Sequence, residues 1–180
     1  MIMFTFKIDH EIELKLLEQD DAPELFKVLD QSRRYLREWL PWVDGTQKPE
    51  DYQSVIEMWL KQFADSNGFQ VGILYKGAIV GMIGFHAIDR SNSATSIGYW
   101  LAEAYQGKGI MTRACQALVD YAFHDLKLRR VEIRCGTENK KSRAIPERLG
   151  FTHEGTIRCG EFLYDHFIDV DVYGLLSTDQ

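Results

Sequence analysis

The stretch of this 180-residue chain with the most chemical content is Gly98-Tyr99-Trp100-Leu101-Ala102-Glu103-Ala104-Tyr105-Gln106-Gly107-Lys108-Gly109-Ile110-Met111-Thr112. An apolar run ends, two glycines turn the chain, and Met111, Cys115, Leu118, Val119 and Ala122 then recur at helical spacing. A helix start leaves several main-chain N–H groups unpaired, with the positive end of the helix dipole behind them. Gly107 and Gly109 put no Cβ in the way of an approaching anion. The pattern predicts an anion site, for pyrophosphate above all. A Walker loop is excluded, because Lys108 precedes Gly109 and no Gly-Lys-Ser/Thr stands at the required spacing. A dinucleotide fingerprint would need a glycine where Thr112 stands, and the acidic residue it expects downstream has only Asp125 to offer.

Other reactive types are sparser. Asn139 can cap a short helix with Ser142 in its first turn; on composition alone these are a helix cap and a locally bonded hydroxyl. Pro146 removes one hydrogen bond from that helix and crowds the carbonyl of Ser142 four residues back. The five histidines are too dispersed for a metal site. Cys115, Cys135 and Cys159 stand far apart without a Cys-x-x-Cys, which predicts reduced thiols in a cytoplasmic compartment. A net charge of −6 argues against nucleic-acid binding and would suit a cationic acceptor. An apolar fraction of 45% is globular, no apolar run could span a membrane, and no secretion signal opens the chain.

The elements that must position these residues can be read in order. Ile12, Leu14 and Leu16 alternate as a half-buried strand. A helix follows to about position 30, capped by Asp20 or Asp21 with Pro23 in its first turn. Residues 31–40 read as a second helical piece stopping before Pro41, and Pro49 opens a third with an apolar stripe of Tyr52, Val55, Ile56, Trp59, Leu60 and Phe63. Residues 69–75, 78–88 and 94–101 read as a three-strand meander turning at Lys76-Gly77 and at 89–93. Val131, Ile133 and Cys135 mark another strand, Gly150 closes the Asn139 helix, and residues 151–158 and 166–176 make a final pair. The strand–helix–strand unit over 94–135 is a crossover and demands parallel pairing. The expected fold is α/β (α+β): a mixed, mostly antiparallel sheet of about seven strands with helices on both faces, in one domain over 1–180.

Gln106-Gly107-Lys108-Gly109-Ile110-Met111 resembles the acetyl-CoA loop of the GNAT acetyltransferases, Gln/Arg-x-x-Gly-x-Gly/Ala, with Met111 departing at the last position. Leu36-Arg37-Glu38-Trp39-Leu40-Pro41-Trp42, Ile97-Gly98-Tyr99-Trp100-Leu101, Glu138-Asn139 with Ser142, Leu149-Gly150-Phe151 and Asp171-Val172-Tyr173 are similar to its RimJ/RimL branch, whose members acetylate N-terminal amines, notably of ribosomal proteins.

The resemblance implies two parallel strands splayed to hold the cofactor, and a single N-acetyltransferase domain that uses acetyl-CoA and no metal. Its cofactor site would comprise Trp100, Leu101, Gln106, Gly107, Lys108, Gly109, Ile110, Met111, Thr112, Asn139 and Ser142, with Ser142 donating a proton to the leaving thiolate. Trp42 and Tyr164 would line the acceptor channel, Trp39 being read as core. No base is named: Glu161, Asp44, Glu103 and His166 read as surface groups, and Gln70 stands where the family often carries a glutamate. The implied acceptor is a protein N-terminus, as of a ribosomal protein, with no nucleic acid or membrane partner and a homodimer or larger assembly. A small-amine acetyltransferase (polyamine or aminoglycoside) and a non-catalytic CoA-binding module are the alternatives.

Overall fold

The computed structural model describes residues 5–179. In chain order the elements are β1 (Thr5–Lys7), β2 (Ile12–Leu16), α1 (Ala22–Gln31), α2 (Arg33–Leu36), α3 (Pro49–Ala64), β3 (Phe69–Tyr75), β4 (Ala78–Asp89), β5 (Ala94–Leu101), α4 (Ile110–Asp120), β6 (Arg130–Gly136), α5 (Lys140–Arg148), β7 (Thr152–Leu163) and β8 (His166–Leu176). The strands form one eight-stranded sheet, ordered β1-β2-β3-β4-β5-β6-β8-β7. Only β5 and β6 run parallel, as the crossover through α4 requires; the other neighbours are antiparallel.

The sheet has one strand more than the sequence predicts. β1 is three residues long and exposed throughout, so it carries no burial alternation to read. Asp21 does stand at the N-cap of α1, but its carboxylate turns back to accept the Glu18 N–H at 2.8 Å. Of the piece expected over 31–40, Gln31 ends α1 and 33–36 form α2; the chain then continues in turns, with the Leu40 N–H on the Leu36 carbonyl at 2.9 Å, and stops before Pro41 as predicted. In α3, Tyr52 and Ile56 are buried as the stripe predicts, whereas Phe63 is 44% exposed.

Each face of the sheet carries its own apolar cluster. On one, Ile97, Ile133, Phe85 and Tyr173 meet Ile110, Met111, Cys115 and Leu118 of α4. On the other, Met82 and Trp100 meet Leu25 and Leu29 of α1 and Ile56 of α3. A sheet covered on both faces is held in register by both, so the ends of its strands are fixed in space.

A polar network ties α5 to the last two strands. Asp171 on β8 is buried and accepts from Thr156 Oγ1 at 2.6 Å and His153 Nε2 at 3.1 Å, with Arg143 Nε of α5 at 3.2 Å. Arg143 also donates to the Tyr173 hydroxyl at 3.0 Å and the Thr137 carbonyl at 2.8 Å. Burial alone would push the Asp171 carboxyl up; the donors from Thr156 and His153 and the Arg143 charge outweigh it and hold it below its ordinary value. A depressed carboxyl stabilises the fold above its unfolded-state pKa and loses that contribution as pH falls through the lower folded value. Asp171→Ala should cost about 1.5–3 kcal/mol in urea unfolding at pH 7, and the wild-type advantage over it should shrink as the pH drops below about 4.

Candidate active site

β5 and β6 pair from Ala94↔Arg130 to Ile97↔Ile133 and no further, although β5 continues to Leu101 and β6 to Gly136. β5 stays on β4 as far as Gly81↔Leu101, and β6 stays on β8 as far as Gly136↔Val170. Each follows its outer neighbour, so the two diverge into a wedge. Main-chain groups of 98–101 and 134–136 that face the gap lose the partner a parallel ladder would give them. A cleft of about 870 Å³ opens there, walled by Trp100 and Leu101, the start of α4, Asn139, Ser142 and Ile145, with Tyr35, Leu36, Trp39 and Leu40 across it.

At the outer end of the cleft the loop after β5 becomes α4. Gly107 and Gly109 have φ of 74° and 68°, and a Cβ on either would meet nothing within 4 Å. The left-handed turn itself requires glycine at both positions, and the space beside each, which the sequence reading assigns to a phosphate, is open. Gly109 is the N-cap, no side chain caps it, and the first intrahelical bond is Arg113 N–H to Gly109 O at 3.1 Å. The N–H groups of 109–112 are thus left for a ligand. Ile110 and Met111 bury their side chains in the core, so the larger residue at 111 points away from these N–H groups.

The charge around this end is positive. Lys141 Nζ bonds Gln106 Oε1 at 2.7 Å and Arg148 Nη1 bonds Thr112 Oγ1 at 2.8 Å, both neutral oxygens. Arg113 is spent on Asp9 at 2.6 Å and Glu11 at 3.4 Å. None of the residues lining the cleft is acidic. At the inner end, Asn139 caps α5 by accepting the Ser142 N–H at 3.1 Å. The Ser142 hydroxyl donates to the Tyr99 hydroxyl at 3.3 Å, and the Tyr99 hydroxyl donates to the Ser142 carbonyl at 3.0 Å.

Residues 11–152 match the acetyltransferase (GNAT) domain family. The chain belongs to the GNAT acetyltransferases. It is 40% identical to the Bacillus subtilis protein YdaF over 98% of this chain and 97% of that one. It is 30% identical to the ribosomal-protein-serine acetyltransferase of Escherichia coli, covering 98% of each. Among solved structures it superposes with a TM-score of 0.92 and 26% identity on RimL, a ribosomal L7/L12 alpha-N-protein acetyltransferase holding coenzyme A in a disulfide with one of its cysteines, over 96% of this chain and 98% of that one.

The GNAT fold brings most of the expected residues to one cleft: Trp100, Leu101, Gln106, Gly107, Gly109, Ile110, Met111, Thr112, Asn139 and Ser142 all line it. Lys108 does not; its ammonium lies 5.1 Å from the Tyr105 ring and 5.6 Å from the Tyr75 ring. Of the two tryptophans, the one read as core reaches the cleft, and the one read as its wall is exposed outside the lining. Trp39 lines the cleft, whereas Trp42 lies beside it, its ring 6.5 Å from that of Trp100. Pro41 separates them as predicted, but which of the two turns inward depends on the chain path after α2. Tyr164 is outside the lining too: its hydroxyl donates to the Leu40 carbonyl at 2.7 Å and its ring lies 3.9 Å from the Arg37 guanidinium, so it braces the segment that carries Trp39. Of the carboxylates weighed as bases, Asp44 pairs with Arg37 and Glu103 is exposed, while His166 pairs with Asp165.

Sequence reasoning missed Lys141, Arg148 and Tyr99. The first two sit at 141 and 148, seven residues apart on α5 and hence on one face, a signal that a helical plot of that segment carries. Gly107→Ala and Gly109→Ala should each cost roughly 1–2 kcal/mol in urea unfolding, the strain of a left-handed alanine. Gly45→Ala, equally open but without a positive φ, should cost nothing measurable.

Proposed function

We propose that this chain, working over 1–180 as one domain, transfers the acetyl group of acetyl-CoA to the N-terminal α-amine of a protein, with a ribosomal protein as acceptor. The observation that carries the reading is the wedge: strand arms without a shared ladder at its throat, and an uncapped helix start at its mouth. The first-turn N–H groups of α4 suit a diphosphate, and Lys141 and Arg148 stand ready for its remaining charge. A pantetheine arm in the gap would take the hydrogen bonds that β5 and β6 no longer give each other. When bound, acetyl-CoA supplies an acyl group activated as a thioester.

The chemistry is R–NH2 + CH3CO–S–CoA → R–NH–COCH3 + HS–CoA. The N–H groups of the β5 arm that point to the gap, that of Leu101 among them because its neighbour Ala102 bonds Val80 on the β4 side, would stabilise the developing oxyanion. Ser142 gives the departing sulfur its proton. Cys135, on the β6 arm, is a buried free thiol. Burial pushes that thiol up to about 11, so it stays protonated and inert at neutral pH. An α-amine with pKa near 8 is about one tenth neutral at pH 7. Glu161, half-buried on β7, is the carboxylate we assign to take the remaining proton, from outside the residues that line the cleft. It sits opposite Ile168 in the β7–β8 ladder and so shares its face, and Ile168 and Trp39 both come close to Gly136 on the inner arm of the wedge, within 3.0 and 3.4 Å of where a Cβ there would stand. Burial raises its carboxyl above the ordinary glutamate value, toward the range of a working base.

A cleft with cationic and no acidic lining favours a single amine on an otherwise neutral chain end over a polyamine, which would need carboxylates to hold its other charges. A cytoplasmic setting fits the three free cysteines and the lack, among the described residues, of a helix able to cross a membrane. A homo-oligomer fits the exposed Phe162 and Phe167 pair on the last hairpin, with ring centroids 4.8 Å apart.

With acetyl-CoA and peptides differing in their first residue, thiol release should follow at least one peptide, a serine-first sequence included, and not spermidine. Faster turnover of spermidine than of any peptide would replace this acceptor by the polyamine. Ser142→Ala should lower kcat by about 10²-fold while coenzyme A affinity by calorimetry holds; binding without turnover of any amine would leave a CoA-binding module. Glu161→Gln should abolish the rise of kcat/KM with pH that the ionisation of a raised carboxyl gives the wild type.

A further inference from the structure

Pro146 lies four residues after Ser142 inside α5 and has no N–H, so the Ser142 carbonyl lacks the helical donor that any other residue at 146 would supply. A partly buried carbonyl needs a partner, and it takes one from another element: the Tyr99 hydroxyl, at 3.0 Å, reaching from the diverging arm of β5. A phenol has one proton. With that proton committed to the carbonyl, the Tyr99 oxygen presents only lone pairs to the Ser142 side chain 3.3 Å away. Ser142 must then be the donor of the pair.

We propose that Tyr99 is the positioning residue of the proton-donating Ser142: its hydroxyl, fixed by the carbonyl that Pro146 leaves open, holds the serine rotamer toward the wedge and keeps a proton on Oγ. The proposal rests on the reading of Ser142 given above. In the transfer step the C–S bond breaks with its electron pair on sulfur. Ser142 Oγ turns its proton from Tyr99 to that sulfur and is reprotonated by the one that Glu161 took from the acceptor nitrogen, passed on through solvent, so protons balance. Tyr99 itself stays protonated throughout, since burial lifts its phenol well above the ordinary value. It orients the donor and is not the donor. The same hydroxyl also bridges the two sides of the cleft, from β5 to the helix that follows β6, so the wedge and the serine are set by one group.

The test is a set of variants assayed with acetyl-CoA and the best peptide of the panel above. Tyr99→Phe should lower kcat roughly 10- to 100-fold with coenzyme A affinity and peptide KM unchanged. Tyr99→Phe/Ser142→Ala should be no slower than Ser142→Ala alone, because Tyr99 acts through that serine. Tyr99→Phe/Pro146→Ala returns a backbone donor to the Ser142 carbonyl; it should regain melting temperature over Tyr99→Phe and leave kcat low. Wild-type kcat in Tyr99→Phe, a double variant slower than Ser142→Ala by the full Tyr99→Phe factor, or kcat restored by Pro146→Ala would each overturn the proposal while the role of Ser142 stands. Wild-type kcat in Ser142→Ala would overturn that role and the proposal with it.

Discussion

Two neighbouring strands cannot both remain parallel partners and follow outer partners that diverge. β5 keeps to β4 to its end, and glycines permit it: a Cβ on Gly81 would stand 2.2 Å from the Trp100 carbonyl oxygen, so the two backbones approach there as no other residue allows. β6 keeps to β8 for its whole length. The parallel ladder between them is the pairing that yields. The cleft, its main-chain lining and the direction of α4 and α5 follow from where it yields, after Ile97↔Ile133.

The cost of the opening is unpaired backbone, and the fold contains it by firmly satisfying what lies around it. The ladder on the β4 side runs one bond further through Ala102 N–H to Val80 O at 2.8 Å. Ser32, buried between α1 and α2, accepts the Glu103 N–H at 3.1 Å and anchors the loop that leads to the glycines. Arg143 and Asp171 hold α5 from the far side. The groups left open on the strand arms and at the start of α4 face one cleft, a distribution that a bound molecule, and not tighter packing, would complete.

Much of this was legible in the amino-acid order because it depends on local rules. The meander β3–β5 is bounded by turn residues, the crossover compels the parallel pair, and the loop ahead of α4 combines glycines with a helical apolar repeat. Asn139 capped its helix as its type predicts. What stayed hidden depends on distance across the fold. β1 is too short and exposed to show a period. Trp42 was the better wall on paper, but Trp39 lines the cleft, on a segment braced by Tyr164, more than a hundred positions away, through the Leu40 carbonyl. The reach of Tyr99 to α5 was invisible for the same reason, although Pro146, which creates the demand for it, was in plain view.

The charge distribution has a kinetic side. At long range the molecule is an anion of net charge −6, yet the rim of its cleft is cationic through Lys141 and Arg148. An anionic ligand therefore diffuses inward against a repulsive far field and is captured only by the near one. Raising ionic strength shortens the reach of both, with a screening length of about 10 Å at 0.1 M, but it erodes the distant repulsion first. Encounter is thereby favoured by moderate salt before residence in the cleft begins to suffer, so the overall acidity acts as a gate on which polyanions arrive and how fast.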